Sequence, residues 1–173
     1  MSKRITCISL FDRQSINKIE SLVLKVNREL CKVPYLEEDR QNKDTLPYHI
    51  TLQSWNGSQE EEALKILKQI EIGPIKLTVN SINIKNSHNN SYNLYLGIDQ
   101  NEELLNIYEQ FYKITKNFKY NPRTFVPHIT LHCDTNYDNI ISIKNTIEQN
   151  FKQFEVTFRE MGLFEIYPAK RIK

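Results

Sequence analysis

The alternation of apolar and polar residues divides the chain into strands separated by helical stretches. A period of two over residues 3–10 and 74–85 predicts strands, because successive strand side chains point to opposite faces. Segments at 92–98 and 154–167, rich in apolar and aromatic residues, predict two more strands. The polar turn at 86–91 indicates that the strands before and after it form a hairpin.

Four stretches with apolar residues at three- and four-residue steps predict helices. Asp12 or Ser15 is a candidate cap for the first helix, and capping-box patterns precede the second and third. The fourth helix is predicted over about residues 138–151. The capping-box pairs are Ser58 with Glu61 and Asp99 with Glu102. The apolar positions are Ile16, Ile19, Val23, Val26 and Leu30; Ala63, Leu64, Leu67 and Ile70; Leu104, Leu105, Tyr108, Phe111 and Tyr112; and Ile140, Ile141, Ile147 and Phe151.

Two further strands contain almost the same motif. LPYHITLQSW occupies residues 46–55 and VPHITLHC occupies 126–133, so His-Ile-Thr-Leu follows a proline in both. Within a strand, the His and Thr of each motif point to one face and the Ile and Leu point to the other. The apolar pair fits a core covered by helices, and the polar pair fits a more hydrated surface.

The element order predicts an α+β fold in a single domain over residues 1–173. Each half reads strand, helix, motif strand, helix, strand, so we expect two similar lobes, about 3–85 and 91–167, packed as one unit. If a pseudo-two-fold axis relates the lobes, their His/Thr faces meet across a central cleft. The polar, aperiodic segment 32–46 is predicted to be a surface loop placed to cover a site.

Composition narrows the classes of protein. The 39% hydrophobic and 25% charged content is that of a soluble globular protein, and no apolar run approaches the roughly 20 residues that span a membrane. A net charge of +2 is too small for a dedicated nucleic-acid coat, although a local basic cleft remains compatible with it. With four glycines, the chain lacks the glycine-rich loops of nucleoside triphosphatases and NAD-binding proteins.

The number and spacing of the cysteines indicate the cellular compartment in which the protein works. Cys7, Cys31 and Cys133 are odd in number and far apart, which favours unpaired thiols in a reducing, cytoplasmic environment. They lack the spacing of a metal site. We therefore expect a monomeric protein that needs no cofactor, no metal and no membrane.

The paired motifs suggest chemistry at phosphorus. An imidazole titrates near neutral pH, so one of His49 and His128 can accept a proton while the other donates one. The hydroxyls of Thr51 and Thr130 can donate hydrogen bonds to the non-bridging oxygens of a phosphate as negative charge develops there. Two such pairs could open or form a phosphodiester by in-line displacement without a metal.

This double pattern resembles the 2H phosphoesterase superfamily, named for its two H-Φ-[S/T]-Φ motifs in which Φ is apolar. FVPHITLH, with its proline, is similar to the bacterial 2′-5′ RNA ligase or RNA 2′,3′-cyclic phosphodiesterase branch. The resemblance implies two pseudo-symmetric βαβ-like lobes, each a mainly antiparallel sheet with outer helices, around a central cleft. It also implies an RNA terminus or a nucleotide as partner and metal-independent opening of 2′,3′-cyclic phosphates. Reversible 2′-5′ ligation is a further activity in the family. It also implies that His49 and His128 are the acid/base pair and that Thr51 and Thr130 bind phosphate, and it leaves open which histidine is the base.

Other residues are weaker candidates for substrate binding. His132 follows Thr130 on the same strand face by simple alternation, and Tyr95 could stack on a base. Each of these residues also fits an ordinary packing or surface role. The remaining candidates lie in the predicted loop, before the second motif or in the tail: Tyr35, Arg40, Lys43, Arg123, Tyr167, Lys170, Arg171 and Lys173. His88 falls in the predicted hairpin turn, where exposure explains it.

Three alternative functions remain open from the sequence. The same four residues could cleave 2′-5′ or 3′-5′ linked or cyclic oligonucleotide signals. A non-catalytic RNA- or nucleotide-binding module would keep the groove, although it would not need both His/Thr pairs. A metallohydrolase using His49, His128 and His132 lacks the carboxylate-rich motifs of hydrolytic metal sites.

Overall fold

The computed structural model describes residues 4–24, 46–86, 91–115, 125–166 and 170–172. Within these ranges the chain forms seven strands and four helices. The strands are β1 (Arg4–Phe11), β2 (Thr51–Asn56), β3 (Ile75–Asn86), β4 (Tyr92–Ile98), β5 (His128–Asp134), β6 (Phe154–Ile166) and β7 (Lys170–Arg171). The helices are α1 (Arg13–Leu24), α2 (Glu60–Gln69), α3 (Glu102–Thr115) and α4 (Tyr137–Glu148).

All the strands belong to one sheet, and every pairing is antiparallel. The order is β2-β1-β6-β3-β4-β5, and β7 pairs with β6 beside this path. β6 holds the sheet together, because residues 154–158 pair with β3 whereas residues 158–166 pair with β1. The predicted α+β class is confirmed, with one continuous sheet where we expected two.

The strands do not pair only within the halves of the sequence that we predicted to form the two lobes. β3 pairs with β4 in the predicted hairpin, so its partner comes from the second half of the sequence. β6 in turn pairs over most of its length with β1, from the first half. Strands that are joined by a short turn tend to pair with each other, and for this reason β3 pairs with β4. The two lobes and their pseudo-two-fold axis stay predictions.

A single hydrophobic core lies between the sheet and the four helices. Each helix contributes to it, for example through Ile19, Ile66, Phe111 and Ile143. The apolar residues of both motifs also lie in this core, as the alternation predicted: Ile50, Leu52, Ile129 and Leu131. Full burial of such a side chain contributes about 1.5–3 kcal/mol. The motif strands are therefore anchored from the side opposite to their polar residues.

The starts of the first two helices agree only in part with the predicted caps. Asp12 caps α1, where its Oδ1 accepts a hydrogen bond from Ser15 N at 2.8 Å. The capping box at Ser58 and Glu61 was wrong, because the cap residue of α2 is Gln59 and makes no side-chain capping bond. A 3-10 turn over Gly57–Gln59 precedes α2 and shifts its start.

The cap of α3 differs as well. Asn101 Oδ1 accepts from Leu104 N at 3.0 Å, so Asn101 takes the place that we predicted for Asp99. Asp99 instead accepts a hydrogen bond from Asn80 on β3. Leu105 is 42% exposed, which removes it from the predicted apolar stripe. Val26 and Leu30 of the predicted first helix lie outside the described residues.

Candidate active site

The two motif strands stand at opposite ends of the sheet order, and yet they touch. Ile50 and Ile129 form an isolated antiparallel bridge that joins the start of the first motif to β5. Both isoleucines are buried, at 1% and 0% exposure. The outer edges of the sheet thus meet at the centre of the two motifs. No pattern within either motif indicates this contact.

The bridge brings the four predicted polar residues together. In an antiparallel pair, the residue after one bridge partner lies across from the residue before the other, about 4.5–5.5 Å away between Cα atoms. His49 therefore lies across from Thr130, and Thr51 lies across from His128. Each histidine neighbours the threonine of the other motif. All four project from the face opposite to the buried isoleucines.

A β-bulge follows the threonine of the first motif. Thr51 pairs with Ile8 and Gln53 pairs with Cys7, so Leu52 is an extra residue without a partner. A bulge interrupts the alternation of faces and re-aims the side chains beyond it. His49 itself lies just before β2, outside the regular strand that we predicted for it.

The second motif has the same bulge at the equivalent position. Thr130 pairs with Tyr95 and His132 pairs with Leu94, which leaves Leu131 as the extra residue. Paired residues of an antiparallel ladder share a face, so His132 lies on the face of the buried Leu94. The expectation that His132 continues the face of Thr130 was wrong, because it assumed unbroken alternation.

The surroundings of His132 agree with this position. Its side chain is 11% exposed, and its Nε2 lies 3.7 Å from Asp134 Oδ2. The same carboxylate oxygen accepts from Asn139 Nδ2 of α4 at 3.4 Å. His132 thus belongs to the contacts between β5 and the helix layer.

Hydrogen bonds fix the orientation of both motif histidines in the same way. His49 Nδ1 lies 2.7 Å from Pro47 O, and His128 Nδ1 lies 2.8 Å from Val126 O. A carbonyl oxygen only accepts, so Nδ1 carries the proton and donates in both residues. Nε2 is then the nitrogen left for proton transfer in each ring.

Burial determines the charge of His49. Burial lowers the pKa of His49 from 6.5 to about 4, the hydrogen bond to Pro47 O opposes this shift, and the neighbouring His128 lowers the pKa further. Near neutral pH His49 is therefore uncharged, and its Nε2 carries a lone pair. A neutral imidazole of this kind is equipped to accept a proton.

Tyr95 lies directly against His128 and Thr130, the polar residues of the second motif. Its ring and that of His128 meet edge to face, with centroids 5.0 Å apart and an interplanar angle of 63°. Its ladder partner is Thr130. Tyr95 is therefore next to both polar residues of this motif.

The sequence did not single out three other residues of this surface. Ser81 pairs with Gly97, which pairs with His128, and Asn83 pairs with Tyr95. These residues continue the polar face from β5 across β4 to β3. The signal that could have found them is a glycine inside an apolar strand, opposite polar positions of its hairpin partner.

Several predicted residues lie outside the described part of the chain. They are Tyr35, Arg40, Lys43, His88, Arg123, Tyr167 and Lys173, together with Cys31 and most of the loop at 32–46. Arg171 is described, and its Nη2 lies 3.2 Å from Glu160 Oε1. Cys7 and Cys133 are free thiols, and burial raises the pKa of Cys7 far above its usual value.

Two further observations concern the residues that the structure describes. In these ranges, no group of three or more His, Cys, Asp or Glu residues is arranged to hold a metal ion. None of the helices described is long and apolar enough to cross a membrane.

A family model supports the class that the motifs indicate. The model described as LigT like Phosphoesterase matches residues 96–172, which contain the second motif. Together with the fold, this match supports the 2H phosphoesterase superfamily and its LigT-like branch. It also supports an enzyme with activity of the phosphodiesterase or ligase type. No curated protein matches the sequence.

Solved structures share the fold over the whole chain. The apo crystal structure of E. coli LigT has a TM-score of 0.63 at 16% identity and covers 100% of this chain and 96% of its own. TT0787 of Thermus thermophilus has a TM-score of 0.58 at 12% identity, with 98% and 95% covered. Usb1 of Kluyveromyces marxianus has a TM-score of 0.54 at 12% identity, with 99% and 96% covered. E. coli LigT has also been solved with 3′-AMP and with ATP.

Proposed function

We propose that the protein is a metal-independent phosphodiesterase that opens the 2′,3′-cyclic phosphate of RNA ends or small nucleotides. The observation that carries this proposal is the bridge between Ile50 and Ile129, which sets each motif histidine beside the threonine of the other motif. The LigT-like family match supports phosphoester chemistry. The nucleotide complexes of E. coli LigT support a nucleotide as the ligand.

The two histidines take different roles in the proposed reaction. His49 Nε2, uncharged at neutral pH, accepts a proton from the attacking water, whose oxygen forms a bond to phosphorus. His128, in its protonated form, donates a proton to the 2′ or 3′ oxygen of the ribose as the bond from that oxygen to phosphorus breaks. A 5′-hydroxyl in place of water would give a 2′-5′ linkage by the same displacement.

The threonines stabilise the charge that develops during displacement. Thr51 is exposed and Thr130 is half-buried, and both have hydroxyls on the face of the histidines. A hydroxyl that donates to a non-bridging oxygen stabilises the transition state more than the ground state, because negative charge builds on that oxygen. Removal of one such donor typically costs about 10²–10³ in kcat.

The test is turnover of a nucleoside 2′,3′-cyclic phosphate in the presence of EDTA. We expect His49→Ala and His128→Ala each to lose about 10²–10⁴-fold in kcat. His132→Ala is the matched control, because His132 also lies on β5 but contacts Asp134 instead of the quartet formed by His49, Thr51, His128 and Thr130. Turnover that survives in both His49→Ala and His128→Ala would overturn the proposal.

A further inference from the structure

A ladder of polar residues leads from the second motif across the sheet to β3. In one row, His128 pairs with Gly97, and Gly97 pairs with Ser81. In the next row, Tyr95 of β4 pairs with Asn83. Neighbouring strands lie about 4.8 Å apart, so β3 lies about 10 Å from the motif strand β5. That distance is comparable to the reach of a nucleotide from its phosphate to the edge of its base.

Gly97 makes room for the polar groups of β3. A Cβ built on Gly97 would lie 2.3 Å from Ser81 Oγ and 3.2 Å from Asn83 Nδ2. Both side chains therefore lean over the glycine towards the motif strand. The bulge at Asn80 on β3, where the register shifts between Val79 and Ser81, places the Asn80 side chain beside that of Ser81.

A chain of hydrogen bonds fixes which way the Asn83 amide points. The Asp99 carboxylate only accepts, so Asn80 meets it with Nδ2 and presents Oδ1 to Ser81. Ser81 Oγ donates to that Oδ1 at 2.7 Å and accepts from Asn83 Nδ2 at 3.0 Å. Asn83 Oδ1 and the second N–H of its amide are then left for a ligand, since no other described residue forms a hydrogen bond to them.

The opposite side of the sheet offers no comparable group among the described residues. In the ladder row of Thr51, the corresponding partners are Ile8 and Gly162. The ring of Phe164 lies over Gly162, because a Cβ there would be 2.6 Å from Phe164 Cε2. The ladder row of Thr51 is thus apolar, and in the next row on that face the hydroxyls of Thr6 and Ser54 bond to each other, whereas the rows from the second motif end in an oriented amide.

We propose that the Asn83 amide binds the base of the nucleotide whose phosphate lies between the two His/Thr pairs. An amide that presents one acceptor beside one donor can bind the edge of a base in bidentate fashion, for example the amino group and adjacent ring nitrogen of adenine or the N3–H and O4 of uracil. The ligand class is therefore a nucleotide whose base presents a donor and an acceptor next to each other. This inference rests on the proposed function for the position of the phosphate.

Equilibrium binding separates the base contact from the phosphate contact. Titration calorimetry with 3′-AMP, 3′-UMP and inorganic phosphate would be applied to wild type, Asn83→Ala, Asn83→Asp and Asp99→Asn. Asn83→Asp keeps the size of the side chain but removes the donor to Ser81, and Asp99→Asn removes the group that orients the chain of bonds. Asn106→Ala, an exposed amide on α3, is the matched control.

The expected result is that the wild type prefers at least one of 3′-AMP and 3′-UMP to inorganic phosphate, by about 5- to 150-fold. Both Asn83 variants lose this preference, Asp99→Asn reduces it, and the affinity for phosphate stays within about two-fold in all of them. An unchanged preference for the nucleotide over phosphate in Asn83→Ala and Asn83→Asp would overturn the inference, as would a wild type without any preference. Failure of the proposed function looks different, because the wild type would then turn over no cyclic phosphate whatever its base preference.

Discussion

Acidification should destabilise the fold through His49, and a single substitution should remove the effect. Burial lowers the pKa of this residue from 6.5 to about 4 in the folded protein, and the unfolded chain keeps the ordinary value. Between these two values the unfolded state binds a proton that the folded state does not. Stability is therefore lost as the pH falls from about 6.5 towards 4, and the loss levels off below the folded pKa.

The magnitude follows from the shift. One pKa unit corresponds to about 1.4 kcal/mol, so the full effect is about 3 kcal/mol, of which about 2.5 kcal/mol is reached near pH 4.5. The carboxyl groups of Asp12 and Asp134, whose pKa values are lowered mainly by hydrogen bonds to Ser15 and Asn136, add losses at lower pH. A comparison of variants at one pH is needed to separate the contribution of His49.

The assay is urea unfolding of wild type and His49→Gln at about pH 7.5 and about pH 4.5. The variant has no group that titrates at this position, so it should lose about 2.5 kcal/mol less than the wild type on acidification. An equal loss in both proteins would refute the reasoning, because His49 would then keep its proton affinity on folding. The same result would weaken its assignment as a base.

Three further predictions concern packing around the quartet. Gly97→Ala should lower stability by about 1–3 kcal/mol in thermal unfolding, because the added Cβ would lie 2.3 Å from Ser81 Oγ. Gly73→Ala is the control and should be neutral, because nothing lies within 4 Å of a Cβ at that position. Ser9→Ala removes the Oγ that accepts from Ile50 N at 2.8 Å, so it should cost about 1–3 kcal/mol in urea unfolding and reduce turnover; equal stability would contradict it. Tyr95→Phe should keep kcat for a cyclic phosphate, whereas Tyr95→Ala should lower it, because only the ring contacts the imidazole; equal rates in both variants would contradict this.

Periodicity identified the elements because each motif strand buries one face only. Ile50 and Leu52 point into the core and His49 and Thr51 do not, so alternation alone predicts both the strand and the polar face. The helices follow from the same principle at a longer period. The caps of α2 and α3 could not be predicted, because a 3-10 turn and a competing bond between Asp99 and Asn80 decide them.

Apart from the hairpin of β3 and β4, the pairing of the strands could not be predicted from the sequence. A repeated element order suggests two separate lobes, but β6 pairs with β1 and β3 and so joins the halves into one sheet. The bridge that assembles the quartet links residues from distant parts of the chain. Neither contact has a local signal, since both depend on which sheet edges meet.

The bulges explain the one polar position that alternation misplaced. Simple alternation puts His132 on the face of Thr130, whereas the extra residue Leu131 moves it to the face of Leu94. The first motif has the same bulge at Leu52. The two motifs therefore differ mainly in the residues that pair with their threonines. Tyr95 pairs with Thr130, whereas Ile8 pairs with Thr51.

The most direct test of the central claim is a double-mutant cycle on turnover of adenosine 2′,3′-cyclic phosphate with EDTA present. If His49 and His128 act together in one displacement, each alanine variant loses about 10²–10⁴-fold and the double variant loses little more than either. The product, identified by mass, is then the ring-opened adenosine monophosphate. Losses that multiply in the double variant, or a wild-type rate in either single variant, would contradict one shared site.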